Sequence, residues 1–208
     1  MSQAKSRVFA VVPAAGHSRR MGQPKLLLDV AGRTVIHRLL ESLQAAGVAA
    51  TYVLVRKADS ALQDELSGTG ARVVLTDDTP DMKASVAKLL AEIASRESPV
   101  ADDGWLLSPA DHPLLEPDTT RTLLSARRPG EAEILVPVHE GRRGHPTCFS
   151  WGFAERIELI PDGQGINSLL QEQSESVREI PVSSSAVLLD LDTPDDLRRL
   201  RQAIDSAT

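Results

Sequence analysis

The order of the hydrophobic segments restricts the possible folds of this chain more than any other feature of its sequence. Short, β-branched apolar runs alternate with longer segments of helical spacing, and such alternation indicates parallel βαβ units. The predicted strands are Val8–Val12, Thr51–Val55, Arg72–Leu75, Trp105–Leu107, Ile134–Val138 and Val187–Leu189. The predicted helices are Thr34–Ala46, Ala58–Leu66, Met82–Ser95, Pro117–Ala126, Ile166–Gln173 and Pro194–Ile204. We therefore expect a doubly wound α/β fold with a mostly parallel sheet.

One segment departs from this alternation. Residues Glu140–Ser150 include Gly141, Gly144 and Pro146 beside several cations, which is typical of a turn that leads into an extra strand. We expect an inserted β-hairpin here. The sequence contains neither a repeat nor a linker long enough to separate two domains, and 208 residues lie within the size range of one domain. We interpret residues 1–208 as a single domain.

Composition and charge exclude several classes of protein. The lone cysteine, Cys148, cannot form an internal disulfide, and the apolar run before Pro13 is too short for a signal peptide. No apolar run approaches the roughly 20 residues of a membrane-spanning helix. The net charge of -6 disfavours sequence-independent binding to duplex nucleic acid. We expect a cytoplasmic protein without a membrane or nucleic-acid partner, in which any polyanionic ligand meets a local cluster of cations.

Such a cluster follows the first predicted strand directly, in the segment PAAGHSRRMGQPK that ends at Lys25. Exposed backbone N–H groups in a loop of small residues bind anions, and Arg20 and Lys25 can neutralise phosphate oxygens. Gly16 and Gly22 enclose five residues and Ser18 replaces a glycine, so the loop is neither a Walker A motif nor a dinucleotide-binding fingerprint. The alternative is a solvated basic turn. The position after a buried strand favours a triphosphate-binding loop, with Ser18 among its nucleotide-binding candidates.

Carboxylates follow the fourth and last predicted strands. Asp111 lies in SPADHP, and Asp190 and Asp192 lie in LDLDTPDDL before the last helix. Ligands of open α/β sheets bind beyond the carboxyl ends of strands, and Mg²⁺ prefers one or two carboxylates together with phosphate oxygens. Asp111 could equally be a turn residue before Pro113, and Asp192 or Thr193 could cap the helix. With the cationic loop, Asp111 and either Asp190 or Asp192 can form a magnesium site for attack on a phosphorus.

Two further groups are weaker candidates. Ser85 follows the third strand and could contact a base or ribose, although it could also lie on a solvated helix face. Arg142 and Arg143, in the segment GRRGHP, could bind an acceptor phosphate or could simply belong to a basic turn. Both groups are therefore candidate binding residues.

The motifs together resemble one family. The segments AAGHSRRMGQPKLLL, MKAS, PADHPLL, GRRGHPTCF and DLDTPDDL are similar to those of the molybdenum cofactor cytidylyltransferases and their relatives, over a core of residues 8–200. The resemblance implies a Rossmann-like fold of the nucleotide-diphospho-sugar transferase type. It further implies CTP and molybdopterin as substrates, Mg²⁺ as cofactor, pyrophosphate as product and a molybdoenzyme as client.

The resemblance also implies roles for individual residues. In this reading the nucleotide is lined by Ala14, Ala15 and Gly16, and its phosphates are contacted by Arg20 and Lys25. The metal is held by Asp111 with Asp190 or Asp192, and the acceptor lies beside Gly144, His145 and Pro146. The Ala-Ala-Gly opening resembles the cytidylyl branch of the family more than the guanylyl branch.

Some residues depart from the family pattern and leave other readings open. His112 stands where a glutamine is usual, and Pro13 and Asp81 are also unusual at their positions, which affects the acceptor more than the chemistry. The opening VVPAAG is similar to methylerythritol-phosphate cytidylyltransferases, although their Asp-Ala-Ala-Arg-Pro segment is missing. A sugar-phosphate nucleotidyltransferase is a third reading. A non-catalytic carrier or maturation chaperone for the molybdenum cofactor is a fourth.

Overall fold

An eight-stranded sheet forms the centre of the computed structural model, which describes residues 6–205. The strands are β1 (Val8–Pro13), β2 (Ala50–Arg56), β3 (Arg72–Thr76), β4 (Gly104–Leu107), β5 (Ile134–His139), β6 (Arg142–Arg143), β7 (Thr147–Ser150) and β8 (Val177–Pro181). They lie in the order β3-β2-β1-β4-β7-β5-β6, and β8 pairs with β5. Strands β1 to β4 are mutually parallel, as are β5 and β8, whereas β7 is antiparallel to β4 and β5. The mostly parallel, Rossmann-like sheet is confirmed.

Six α-helices lie within the described residues: α1 (Val35–Ala46), α2 (Ser60–Leu66), α3 (Met82–Glu97), α4 (Pro117–Ala126), α5 (Ile166–Glu172) and α6 (Pro194–Asp205). Apolar side chains of α1, α2, α4 and α6 form one core, and those of α3 and α5 form the other. Alternate residues of β1 enter the two cores, since successive side chains of a strand point to opposite faces. Among the described helices, none is long and apolar enough to cross a membrane.

All six predicted helices and five of the six predicted strands are confirmed, with bounds that differ by at most two residues. The predicted strand Val187–Leu189 is wrong, because Ser185–Leu188 forms a 3-10 helix. The last strand is β8, which the apolar pattern missed. In β8 only Ile180 is buried, and Arg178 instead forms an ion pair with Glu133 at 2.6 Å. A strand held partly by polar contacts leaves a weak hydrophobic signal.

The predicted insertion is confirmed at Glu140–Ser150. A tight turn joins β5 to β6, and the chain then returns as β7 between β4 and β5. Trp105 of β4 and Phe149 of β7 stack with ring centroids 4.0 Å apart and planes 4° apart. The insertion is therefore part of the central sheet, and it continues the core past β4.

The strand order places the loops that could bind a ligand. From β1 the chain continues to β2 and β3 on one side, and then returns to β4 on the other side of β1. The carboxyl end of β1 is thus a topological switch point, where open α/β sheets leave a crevice. The loops after β1, β3 and β4 all leave the sheet at this edge.

Candidate active site

A cleft of about 480 Å³ opens at the switch point. Its walls come from the loop after β1, from the start of α3 with the loop before it, and from the turn after β4. The cleft brings together seven residues that the sequence analysis singled out: Ala14, Ala15, Gly16, Ser18, Lys25, Ser85 and Asp111. Segments far apart in the sequence therefore form one concave surface.

The loop after β1 is held close to the sheet. The backbone N–H of Ala14 donates to the carbonyl of Leu54 at 3.0 Å, and both Ala14 and Ala15 are buried. Ser18 adopts a left-handed conformation with φ of 49°, and its hydroxyl oxygen accepts a hydrogen bond from the backbone N–H of Lys25 at 3.3 Å. Ser18 thus closes the loop on itself and places Lys25 at the inner wall of the cleft.

Lys25 joins two carboxylates at the inner wall. Its Nζ lies 2.5 Å from Oδ2 of Asp111 and 2.8 Å from Oδ1 of Asp192. The other oxygen of Asp192 accepts from the Arg20 guanidinium at 2.6 Å. Two predicted phosphate-binding cations and two predicted metal ligands therefore form one cluster, which we call the Lys25 cluster: Arg20, Lys25, Asp111 and Asp192.

The cluster shifts the pKa values of its members. Burial raises the pKa of Asp111, but the hydrogen bond from His112 and the charge of Lys25 outweigh burial and hold the pKa well below its usual range. Burial lowers the pKa of Lys25, but the charges and hydrogen bonds of Asp111 and Asp192 outweigh it and raise the pKa. At neutral pH, Asp111 is therefore an anion and Lys25 a cation.

The structure distinguishes the two acids that the sequence left as alternatives. The backbone N–H of Leu191 donates to the carbonyl of Asp111 at 2.9 Å, which aligns the two segments. Asp192 is half-buried in the cluster, whereas Asp190 is exposed on the surface. The segment follows a 3-10 helix rather than a strand, so the two side chains do not share one face as an extended chain would require. Asp192 is the acid that meets Asp111.

Ser85 lines the cleft, but its hydroxyl is engaged within the protein. It is buried, donates to the carbonyl of Asp81 at 3.0 Å and lies 2.7 Å from the hydroxyl of Thr79. The solvated helix face is therefore the wrong alternative for this side chain. These bonds shape the wall opposite the phosphate loop.

The predicted acceptor segment lies beside the cluster rather than in the cleft. Arg143 is exposed and forms an ion pair with Glu179 of β8 at 2.8 Å. Gly144 packs so tightly that a Cβ would lie 2.4 Å from the carbonyl oxygen of Val187. His145 is half-buried, and burial lowers its pKa to about 4. Pro146 is buried.

Two residues near the cluster were missed by the sequence analysis as contributors to a site. His112 is buried, its Nδ1 lies 3.1 Å from Oδ1 of Asp111, and its ring meets the ring of His145 edge-on. Arg56 ends β2 and lines a neighbouring pocket behind the loop; its buried Nε has no hydrogen-bond partner among the described residues. A signal existed for Arg56, since it is a cation at the carboxyl end of a predicted strand. The contact between the adjacent residues Asp111 and His112 has no such signal in the sequence.

The residues present fit a hard divalent cation with substrate ligands. Asp111 and Asp192 both contact a single ammonium nitrogen, so their oxygens already surround one cation position. Within the described part of the chain there is no group of three or more His, Cys, Asp or Glu side chains that could hold a metal ion. Two carboxylates are nevertheless the number that Mg²⁺ uses when phosphate oxygens and water complete its shell.

Comparison with known proteins connects this geometry to a family. Residues 10–177 match the MobA-like NTP transferase domain. The chain belongs to this family. The predicted family is thereby confirmed, and the chain is an enzyme of the nucleotidyltransferase class.

Three similar proteins illustrate the relationship. The molybdenum cofactor guanylyltransferase of Rhodopseudomonas palustris is 29% identical over 201 residues, which cover 90% of this chain and 88% of that protein. The molybdenum cofactor cytidylyltransferase of Escherichia coli is 26% identical over 192 residues, with 92% and 94% covered. The structure of Rv0371c from Mycobacterium tuberculosis H37Rv, solved with manganese, is 29% identical with a TM-score of 0.78, and 96% and 100% of the two chains are covered.

Proposed function

We propose that this nucleotidyltransferase transfers CMP from CTP to a phosphorylated acceptor, molybdopterin or the molybdenum cofactor, and releases pyrophosphate. The observation that carries the proposal is the Lys25 cluster at the inner wall of the cleft. It combines two phosphate-binding cations with two carboxylates at the switch point of the sheet. Electrostatic stabilisation by such groups supplies most of the catalysis in phosphoryl transfer.

Asp111 and Asp192 are the residues that would hold Mg²⁺. When bound, the metal would supply positive charge next to the reacting phosphate oxygens. The manganese complex of Rv0371c supports a divalent cation in this family. Lys25 lies between the two carboxylates, and a metal bound there would leave its ammonium available to the phosphates.

The chemical step is an in-line substitution at the α-phosphorus. A bond forms between an oxygen of the acceptor phosphate and the α-phosphorus of CTP, and the bond from that phosphorus to the bridging oxygen of the β-phosphate breaks. Negative charge grows on the leaving pyrophosphate. Lys25 and Arg20 then neutralise this charge, which makes their contribution larger in the transition state than in the bound substrate.

Nucleotide and acceptor are assigned from different observations. Ala14, Ala15 and Gly16 line the cleft, as the cytidylyl resemblance implies. The segment from Gly144 to Pro146 flanks the metal carboxylates through His112, which suits the acceptor side. The names of the relatives support a molybdenum cofactor acceptor. We place the reaction in the cytoplasm, with a molybdoenzyme as the client that receives the product.

A second candidate is guanylyl transfer to the same acceptor. The relative named a guanylyltransferase is 29% identical and the one named a cytidylyltransferase is 26% identical, so overall similarity does not select the base. We favour CTP because of the Ala-Ala-Gly opening. The choice is a matter for direct measurement.

The test is pyrophosphate release with CTP, GTP, ATP and UTP, each with and without Mg²⁺ and a molybdopterin acceptor. We expect pyrophosphate release only when CTP, the acceptor and Mg²⁺ are all present. Asp111→Asn should abolish this release. Asp195→Asn is the control, because it removes an exposed carboxylate of α6 that pairs with the neighbouring Arg198.

Each other outcome identifies a different function. Release with GTP instead of CTP would establish the guanylyl reading. Full turnover in Asp111→Asn would overturn the proposed metal site. Tight cofactor binding without any pyrophosphate release would favour the carrier or chaperone reading.

A further inference from the structure

Each of the four carboxylate oxygens of the Lys25 cluster contacts a side-chain donor, and these donors differ in their exposure to solvent. Lys25 occupies one oxygen of each acid, Arg20 occupies the second oxygen of Asp192, and His112 occupies the second oxygen of Asp111. The side chain of Arg20 is 70% exposed, whereas that of His112 is only 6% exposed. Under the proposed mechanism Lys25 and Arg20 move to the phosphates. His112 is then the donor that stays with its carboxylate.

The chemistry of the contact fixes which partner donates. The ionised carboxylate of Asp111 has only acceptor oxygens, so the Nδ1 of His112, 3.1 Å from Oδ1, must carry the hydrogen. Oδ2 of the same carboxylate faces Lys25 at 2.5 Å. One oxygen is therefore anchored by a buried donor, and the other points toward the shared cation position.

The backbone and the ring of His112 each have a fixed neighbour. The backbone carbonyl accepts from the N–H of Leu115 at 3.3 Å, and the ring packs edge-on against His145, with centroids 5.4 Å apart and planes at 78°. His145 is fixed in turn, since its backbone N–H donates to the carbonyl of Val187 at 2.9 Å. Gly144 before it leaves no space for even a Cβ. The ring cannot turn away from Asp111 without a shift of this segment.

We infer that His112 is a positioning residue for the metal site: its Nδ1–H holds Oδ1 of Asp111, so that Oδ2 stays directed at the metal after Lys25 has left. This inference rests on the proposed function, because it requires a divalent cation at Asp111. Residues that orient a ligating group change metal affinity about 10–100-fold when they are removed. The carboxylate of Asp111 without His112 could rotate, and binding a metal would then require it to be ordered again.

The side chains of asparagine and leucine provide a matched test. They have nearly the same shape, and the amide nitrogen of asparagine can take the place of Nδ1, whereas leucine has no donor. The binding of Mn²⁺ alone to the full chain is measured by the electron paramagnetic resonance signal of the free ion. Thermal unfolding of each variant is measured in parallel.

We expect His112→Leu to weaken Mn²⁺ binding by about tenfold or more, and His112→Asn to stay within about threefold of the wild type. The melting temperatures of the two variants should be similar. If the role of His112 were purely structural, variants of similar stability would bind Mn²⁺ with similar affinity. His112→Met, also without a donor, replaces His112→Leu if that variant does not fold.

The outcomes separate this inference from the proposed function. Asp111→Asn is the reference that abolishes the site. If Asp111→Asn weakens Mn²⁺ binding but His112→Leu and His112→Met do not, the positioning role is wrong and the metal site stands. If the wild type binds Mn²⁺ neither alone nor in the presence of CTP, or if Asp111→Asn leaves binding unchanged, the metal site itself is wrong. Equal losses in His112→Asn and His112→Leu would overturn the inference as well, because the donor would not be what matters.

Discussion

Lys25 connects parts of the chain that are far apart, since its two partners lie 86 and 167 residues away in sequence. Its ammonium stands between two carboxylates that the proposed reaction requires for a metal. The proposed reaction also requires this ammonium at the phosphates. Under that mechanism Lys25 takes two positions in turn, and its removal should affect metal binding and turnover in opposite directions.

We predict that Lys25→Met lowers kcat/KM by about 10²–10³, the usual effect of losing one donor that stabilises transition-state charge. In the absence of nucleotide, the same variant should bind Mn²⁺ more tightly, because no ammonium competes for Asp111 and Asp192. Steady-state kinetics and Mn²⁺ titration measure the two effects. Arg96→Met removes an exposed positive charge at the far end of α3 and should change neither. Weaker Mn²⁺ binding in Lys25→Met would contradict the competition.

The sequence could predict most residues of the cluster, but not their arrangement. Arg20, Lys25 and Asp111 were identifiable because each lies in the segment that follows a strand with a strong apolar pattern. The choice between Asp190 and Asp192 depended on the preceding segment, which is a 3-10 helix and not the predicted strand. Thr193 does cap α6, since its hydroxyl accepts from the N–H of Asp196 at 3.3 Å. The contact of His112 with Asp111 required a side-chain orientation that no sequence pattern encodes.

At the scale of elements, the edge of the sheet opposite the cleft is held by an ion pair between a buried aspartate and a partly exposed arginine. Asp103, just before β4, accepts from the backbone and side chain of Arg7, just before β1, at 2.6–3.2 Å. It also accepts from the N–H of Val100 at 3.0 Å. Burial raises the pKa of Asp103, but the hydrogen bonds of Arg7 outweigh it and lower the pKa below its usual value. The pair fixes the beginnings of two adjacent strands.

We predict that Asp103→Ala lowers the free energy of unfolding by about 2 kcal/mol, because it removes the buried acceptor of the Arg7 guanidinium and of two backbone N–H groups. Since the folded-state pKa is depressed, the contribution is present above the ordinary aspartate pKa and is lost as pH falls through the lower, folded-state value. Urea unfolding at pH 7 and below pH 4 measures both effects. The exposed neighbour offers a control, Asp102→Ala, which should change stability by less than about 0.5 kcal/mol. A loss at pH 7 no larger than that control would contradict the prediction.

The segment between β6 and β7 gives a second prediction at this scale. A Cβ at Gly144 would meet the backbone oxygen of Val187 at 2.4 Å, and backbone atoms cannot move aside as a flexible side chain can. Gly144→Ala should therefore destabilise the protein by about 1–3 kcal/mol and displace His145 from His112. Gly152→Ala is the control, because no atom lies within 4 Å of a Cβ there. Thermal unfolding distinguishes the two variants; equal midpoints would show that the segment moves freely.

Strand prediction succeeded where the sequence has a continuous apolar run and failed at β8, which has none. β1 and β4 are almost wholly buried and β2 has a buried centre, so their apolar runs stand out in the sequence. β8 is an exposed strand whose polar side chains make contacts that depend on distant residues, such as Glu133. The 3-10 helix at Ser185–Leu188 contains the same apolar residues as a short strand would. The length of this apolar run could not distinguish a 3-10 helix from a short strand.

At the scale of the whole molecule, the candidate active site is built from residues near both ends of the described chain. Ala14 lines the cleft, while Asp192 lies two residues before α6. The two cores contain alternate residues of the same strands. Neither core can therefore unfold without disrupting strands on which the other core is built. Binding of a nucleotide and metal to this site should therefore stabilise the chain as one unit.

We predict that CTP with Mn²⁺, each at about 100 times its dissociation constant, raises the free energy of unfolding by about 2.7 kcal/mol per saturated site. In a chain of this size that corresponds to a rise in Tm of roughly 5–10 °C. The fluorescence of Trp105 and Trp151 and the far-ultraviolet circular dichroism should shift together in a single transition, as the single-domain interpretation requires. Asp192→Asn should lose the part of the shift that depends on Mn²⁺, while Asp195→Asn keeps it. Two transitions, only one of which responds to ligand, would show instead that the chain unfolds as two units and that the Lys25 cluster stabilises only one of them.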